Sequence, residues 1–147
     1  MPHRRSFFHR HSLSIVSLLF LTAWIVLYSF SSQTTHLGSF FGNAIADWSG
    51  VVVTVLATKY LYEKGSVESR TPHDELLGGV RKALVDHSLS VFLILTGCGW
   101  VVLYLVMDSE SKWGQVIGNI VSEWTQIFAL VIMTKRLIEP HSKESKK

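Results

Sequence analysis

The side chains best suited to chemistry in this sequence are two carboxylates set among apolar residues, Asp47 and Glu123. Each stands directly before a tryptophan and close to a long apolar run. Ionisable groups within membrane-embedded segments are costly to desolvate, and they commonly bind an ion, relay a proton or pair with another polar group. Helical spacing places further polar residues beside both acids. The sequence therefore predicts a candidate ion or polar site formed by Asp47, Glu123, Asn43, Asn119 and Gln126.

A structural alternative explains the same polar residues without a ligand. Asn43 and Asn119 have the side chains of helix N-caps, and an acid in a first helical turn is favoured by the helix dipole. Gln126 is then a hydrogen-bonding partner for a neighbouring helix. The acids would merely begin two helices, and the residue types alone leave both interpretations open.

The elements that must position these residues are four apolar runs, at residues 13–30, 44–62, 88–106 and 120–138. A helix of about 18 to 20 residues is roughly 27 to 30 Å long, which matches the hydrocarbon core of a bilayer. A soluble helical bundle would show polar faces, whereas residues 13–30 carry no charge. The sequence predicts an all-α integral membrane protein in which four transmembrane helices form a four-helix bundle.

The sequence contains an internal repeat. Residues 11–69 align without a gap on residues 87–145, with about 21 identities in 59 positions. We expect a first two-span unit at 1–69, a cytoplasmic linker at 70–86 and a second two-span unit at 87–147, together one membrane domain. Both helical hairpins enter from the same side, so they are expected to be parallel repeats. In the linker, a short amphipathic helix is predicted to start at Pro72.

Orientation follows from the basic residues. Of the 14 lysines and arginines, all but Lys112 lie in the N-terminus, the linker, the C-terminal tail or the adjoining span ends. The positive-inside rule then predicts a multi-pass protein of the cell inner (plasma) membrane with cytoplasmic N- and C-termini. The first span, retained as a signal anchor, is part of this prediction.

Aromatic residues recur at matched positions in the two units. We expect Trp48, Trp124, Tyr28 and Tyr104 to form an interfacial belt, and Trp24 and Trp100 to pack between helices. At the other helix ends, His11 and His87 precede the expected caps Ser12 and Ser88 and serve as interfacial anchors or as pH sensors. Lys59 with Glu63, and Lys135 with Glu139, have the spacing of local helical ion pairs.

A histidine, serine, leucine, serine start, repeated at residues 11–14 and 87–90, a tryptophan next to an acid, and the Lys64–Ser69 motif resemble those of a family of small bacterial four-span membrane proteins of unknown function. The resemblance implies a bacterial membrane protein and supplies no activity.

The sequence contains no phosphate-binding loop, hydrolase motif or metal-ligand cluster, so we expect neither an enzyme nor a cofactor or metal. The basic charge is expected to set topology and attract lipid, with no nucleic-acid partner. Two functions remain. The preferred one is a structural or accessory protein that associates with itself or with a membrane-protein partner. The alternative is an oligomeric cation channel or small carrier that uses Asp47 and Glu123 at the outer mouths of its second and fourth spans.

Overall fold

The computed structural model describes residues 7–64, 66, 79–135 and 137, and within them all regular secondary structure is helical. A single turn, α1 (Phe7–Arg10), precedes α2 (Ser12–Phe30) and α3 (His36–Tyr60). The second half contains α4 (Gly79–Asp86), α5 (Ser88–Val106) and α6 (Lys112–Met133). Helices α2, α3, α5 and α6 are long and apolar enough to cross a membrane. The predicted all-α class with four such helices is thus confirmed.

Helices α3 and α6 begin eight residues earlier than their apolar runs indicate. Their N-caps are Thr35 and Ser111, whose side chains accept hydrogen bonds from the backbone N–H groups of Gly38 and Gly114. The prediction of Asn43 and Asn119 as N-caps is therefore wrong. Both helices also end early, at Tyr60 and Met133 rather than at residues 62 and 138. Caps, which satisfy the first backbone N–H groups, decide these boundaries more than hydropathy does.

Glycine is required where α3 and α6 begin. A Cβ atom on Gly38 would lie 1.8 Å from the carbonyl oxygen of Ser32, and one on Gly114 would lie 2.0 Å from that of Asp108. In each case the preceding link folds back onto the first turn of the helix. The short links, residues 31–35 and 107–111, are held in place by this contact and by the cap.

The four long helices pack in the order α2, α3, α6, α5. Helix α3 contacts both α2 and α6, and α6 contacts α5. No extensive packing joins α2 to α5 in the described part of the chain, so the row is more open than a closed four-helix bundle. The core lies along α3 and α6, where Ile45, Ala46, Val116 and Ile120 are buried. Helices α2 and α5 leave most of their apolar surface exposed.

One end of the row is fastened by Lys112, the first residue of α6. Its Nζ donates to the carbonyl oxygen of Ser31, just after the end of α2, at 2.6 Å. It also donates to the carbonyl oxygen of Ser29, in the last turn of α2, at 3.1 Å. The hydroxyl of Tyr28 donates in turn to the Lys112 carbonyl oxygen at 2.6 Å. From the sequence, Lys112 differs from the other basic residues only in being predicted on the opposite side of the membrane. The structure shows that it also joins the two helical hairpins.

The linker helix is partly confirmed. Helix α4 begins at Gly79, whose φ of 63° is readily adopted only by glycine, and Val80 and Leu84 are exposed on it. The predicted start at Pro72 lies outside the described residues. The predicted caps Ser12 and Ser88 are instead the first residues of their helices, and His11 and His87 occupy the N-cap positions without a capping hydrogen bond from their side chains.

Candidate functional site

The two predicted polar stripes meet where α3 packs against α6. The amide Nδ2 of Asn119 donates to Oδ1 of Asn43 at 2.6 Å. Next to this bond lies an open polar cavity of about 260 Å³. Its lining residues are Asn43, Ala46, Asp47, Asn119, Ser122 and Glu123. The structure thus brings both candidate carboxylates and two of the three candidate amides to a single place, and Gln126 is not among the residues that line this cavity.

The depth of the two acids excludes their role as helix-start residues. Asp47 is eleven residues beyond the start of α3 at His36, and Glu123 is eleven residues beyond the start of α6 at Lys112. At 1.5 Å per residue, each lies about 16 Å along its helix. Neither α3 nor α6 carries an acidic residue in its first turn. The structural alternative is wrong on this point, and the outer-mouth position is also wrong, because both carboxylates lie near the middle of their helices.

Small residues let the two helices approach closely at this depth. Ala46 is 1% exposed, and a Cβ atom on Gly50 would lie 3.3 Å both from Oε2 of Glu123 and from Cδ1 of Ile127. The side chain of Glu123 therefore lies across the α3 backbone at Gly50. A second cavity, of about 290 Å³, lies next to the first, and Asp47 and Glu123 line both of them.

The site opens to one side of the molecule. Asn43, Asp47, Ser122 and Gln126 are exposed there. Gln126 is predicted to hydrogen-bond a neighbouring helix. Among the residues that the structure describes, its amide instead makes long contacts within α6, at 3.5 Å to Oγ of Ser122 and 3.4 Å to Oε1 of Glu123. Carboxylate and amide oxygens are the ligands that hard cations prefer. Within the described residues, no group of three or more His, Cys, Asp or Glu side chains could hold a metal ion.

The six aromatic residues are placed differently in the two units. Trp124 is buried and donates from Nε1 to Oγ1 of Thr96 at 2.8 Å, while its counterpart Trp48 stacks on Phe20 with 4.6 Å between ring centroids. Trp24 packs on Phe41, and Trp100 packs edge-on against Trp124.

The two tyrosines contact matching glycines, since Cβ atoms on Gly42 and Gly118 would each lie 3.1 Å from the ring of Tyr28 or Tyr104. Tyr28 is 2% exposed and Tyr104 is 42% exposed. Tyr28 and Trp124 are thus buried between helices, while Tyr104 is exposed, and the interfacial belt stays a prediction. Trp24 and Trp100 pack against aromatic rings of α3 and α6, as expected of residues between helices.

A second polar cluster, which sequence reasoning missed, surrounds Glu63 in the segment after α3. Glu63 is fully buried, and its Oε1 accepts a hydrogen bond from Nδ1 of His87 at 2.6 Å. Nζ of Lys135 forms an ion pair with the same oxygen. The backbone N–H of Ser90, in the first turn of α5, donates to Oε2 at 3.0 Å. One carboxylate therefore joins the first hairpin to both helices of the second.

Electrostatics favour the charged form of this buried carboxylate. Burial alone would raise the pKa of Glu63, but the ion pair with Lys135 and the hydrogen bonds from His87 and from the backbone N–H of Ser90 outweigh it and lower the pKa to about 2. The predicted local pairing of Lys59 with Glu63 is replaced by an ion pair between hairpins, and His87 serves as a ligand for that carboxylate. The signal available in the sequence was that His, Ser, Lys and Glu recur together at matched positions in both units.

Comparisons of the chain with models of known protein families, with curated proteins and with solved structures found no match.

Proposed function

We propose that the protein is a non-enzymatic, multi-pass membrane protein that associates with a second copy of itself through the polar face of α3 and α6. The supporting observation is the position of Asp47 and Glu123. Both lie about 16 Å along helices of 25 and 22 residues, and both line cavities that open to the outside of the single chain.

Contact with lipid would be energetically unfavourable for the polar face of α3 and α6. An acidic residue at the centre of a membrane helix costs roughly 2.5 to 3.5 kcal/mol on insertion scales, and such residues almost always face other protein or a water-filled space. The same face supplies both donors and acceptors, because Asn43 is exposed one turn before Asp47 and Gln126 is exposed next to Glu123. A second copy can therefore satisfy it, while the exposed apolar surfaces of α2 and α5 suit lipid.

The proposed topology follows from the ends of the row. His11 at the start of α2 contacts Lys59 near the end of α3, and His87 at the start of α5 lies with Lys135 at the end of α6. Since the basic residues gather at this end, it is proposed to be cytoplasmic, with Lys112 on the opposite side. Helices α2 and α5 begin 76 residues apart, as do α3 and α6. We place a pseudo-two-fold axis along the membrane normal between α3 and α6.

Oligomeric state in lipid nanodiscs tests the proposal. Native mass spectrometry or photobleaching should find a dimer or a higher oligomer, and Ser122→Leu with Gln126→Leu should weaken it, because both side chains are exposed on the proposed interface. Thr22→Leu is the matched control, since Thr22 is exposed on α2, away from that face. A protein that stays monomeric at every protein-to-lipid ratio would refute self-association.

The paired acids favour a second candidate function, a cation channel or small carrier. Within the described part of one chain, two carboxylates line the cavity, and a second copy facing the first would bring four around a shared axis. Four carboxylates at that depth require a cation or protons for neutralisation. Reconstituted vesicles should then pass monovalent cations, and Asp47→Asn with Glu123→Gln should abolish the flux. An oligomer that passes no cations would reject this second function and leave the first intact.

A further inference from the structure

A groove between the start of α2 and the end of α3 has a polar end and an apolar side. Its volume is about 420 Å³. At the polar end, Nζ of Lys59 lies 2.9 Å from Nδ1 of His11. The groove continues along α3 to Thr54, five residues or about 7 Å before Lys59. Val55 and the exposed Leu13 supply its apolar surface, so the groove suits a molecule with a polar head and an apolar chain.

The matching residues of the second hairpin hold an anion. Nδ1 of His87 and Nζ of Lys135 both contact Oε1 of the Glu63 carboxylate. The backbone N–H of Ser90 donates to Oε2 of the same carboxylate. These three ligands stand 76 positions after three residues that line the groove, His11, Lys59 and Ser14. The groove of the first hairpin thus has, at the same places, the residue types that bind a carboxylate in the second.

His11 and Lys59 can donate to one anion at the same time. An ammonium group only donates hydrogen bonds, so Nδ1 of His11 is the acceptor in its contact with Lys59 and the imidazole hydrogen is on Nε2. This Nε2–H and the two further N–H bonds of the ammonium group can donate to the oxygens of a phosphate, which are strong acceptors. Within the described part of the chain, no carboxylate forms an ion pair with Lys59, whereas Lys135 is paired with Glu63. An added anion would therefore neutralise a positive charge at the polar end.

Exposed aromatic residues beside the polar end are of the kind found at a membrane surface. Phe7, Phe8 and Tyr60 are all exposed. The ring of Phe7 lies 4.5 Å from that of His11, and Nζ of Lys59 lies 5.0 Å from the ring centre of Tyr60. Aromatic side chains concentrate at the headgroup level of a bilayer, and basic residues there attract anionic lipid. The polar end of the groove thus has the surroundings of a lipid headgroup.

We propose that this groove binds one anionic phospholipid. Its phosphate accepts from His11 and Lys59, and one of its acyl chains lies against Leu13 and Val55. A free phosphate ion would match the polar end alone, whereas a phospholipid matches the apolar side as well. The lipid site depends on the membrane location proposed above but not on self-association of the chain.

Native mass spectrometry tests the site on protein released from uncharged detergent micelles that contain equal amounts of phosphatidylglycerol and phosphatidylcholine with the same acyl chains. The parent protein should retain phosphatidylglycerol in preference to phosphatidylcholine. Lys59→Met should lower the affinity for phosphatidylglycerol by roughly five-fold, the factor expected from loss of one basic residue next to anionic lipid. Lys82→Met removes the same charge from an exposed position on α4, and it should leave the preference unchanged.

A second variant probes the apolar side without changing the charge. Val55→Trp should fill the groove and lower the retention of phosphatidylglycerol several-fold, whereas Thr22→Trp, at an exposed position of α2 outside the groove, should not. Because the spectra separate monomers from oligomers, lipid binding is scored independently of self-association.

Equal retention of the two lipids by the parent protein would overturn the proposal, as would equal losses in Lys59→Met and Lys82→Met. Undiminished retention in Val55→Trp would also contradict it. Release of the lipid by inorganic phosphate, but not by chloride at the same ionic strength, would do so too, because the groove would then recognise a phosphate ion alone.

Discussion

Replacing Glu63 with glutamine should destabilise the protein strongly at neutral pH and hardly at all near pH 2. The glutamate is fully buried, and its ligands lower its pKa from an ordinary 4.5 to about 2. That difference between the unfolded and the folded chain corresponds to about 3 kcal/mol of stability when the carboxylate is ionised in both states.

The sign of the pH dependence follows from the direction of this pKa change. Because the folded-state pKa is the lower one, the stabilisation is fully present above about pH 5 and is lost as the pH falls towards 2. The unfolding free energies of parent and Glu63→Gln should differ by about 3 kcal/mol at pH 7, by about half of that at pH 3, and by almost nothing near pH 2.

Denaturant titration in uncharged detergent micelles, followed by near-ultraviolet circular dichroism, measures this difference across the pH range. Glu110→Gln is the matched control, since its side chain is exposed in the link before α6, and it should change the unfolding free energy by less than about 0.5 kcal/mol. A difference for Glu63→Gln that is the same at pH 7 and pH 2, or that stays below about 1 kcal/mol at pH 7, would refute the ion-pair reasoning.

Three further variants probe the helix starts and the Lys112 contact by the same unfolding measurement. Gly114→Ala should destabilise the protein by more than about 1 kcal/mol, because the new Cβ would lie 2.0 Å from the carbonyl oxygen of Asp108. Gly99→Ala is the control, because a Cβ there has nothing within 4 Å, and it should be neutral or slightly stabilising. Equal effects of the two substitutions would contradict the close contact between the link and the first turn of α6. Thr35→Ala should cost about 1 kcal/mol through loss of the cap, and Thr34→Ala, one residue earlier, should cost less. Lys112→Met should lower the unfolding free energy by roughly 1 to 3 kcal/mol, because it removes hydrogen bonds to two carbonyl oxygens. Lys82→Met, at an exposed position on α4, should leave the unfolding free energy unchanged. Similar values for the two variants would argue that Lys112 does not hold the two hairpins together.

Hydropathy predicted α2 and α5 almost to the residue because these helices are apolar along their whole length. It failed at the starts of α3 and α6, where polar residues and glycine interrupt the apolar pattern. The first four residues are His, Leu, Gly and Ser in α3 and Lys, Trp, Gly and Gln in α6, and in both helices the N-cap sets the boundary. The cap could have been found, since Thr35 and Ser111 stand at matched positions and each is followed three residues later by glycine. Those two caps move the candidate carboxylates from helix starts to helix centres.

The meeting of Asn43 with Asn119 was predictable because helical spacing and the repeat together define facing stripes. The Glu63 cluster was not predictable from spacing, since an acid four residues after Lys59 has an obvious local partner. Its actual partners, His87 and Lys135, are 24 and 72 positions further along the chain and come together only through tertiary packing.

The carboxylate that ties the hairpins together also imposes an order on biosynthesis. Glu63 is made 72 residues before Lys135. At roughly 5 to 20 residues per second, Lys135 is therefore added about 4 to 14 seconds after Glu63, and the ion pair cannot form earlier. During that interval the first hairpin has left the ribosome without the partner that fixes its position. The two hairpins can therefore be joined by this ion pair only after Lys135 has been made, and until then a chaperone has time to act on the first one alone.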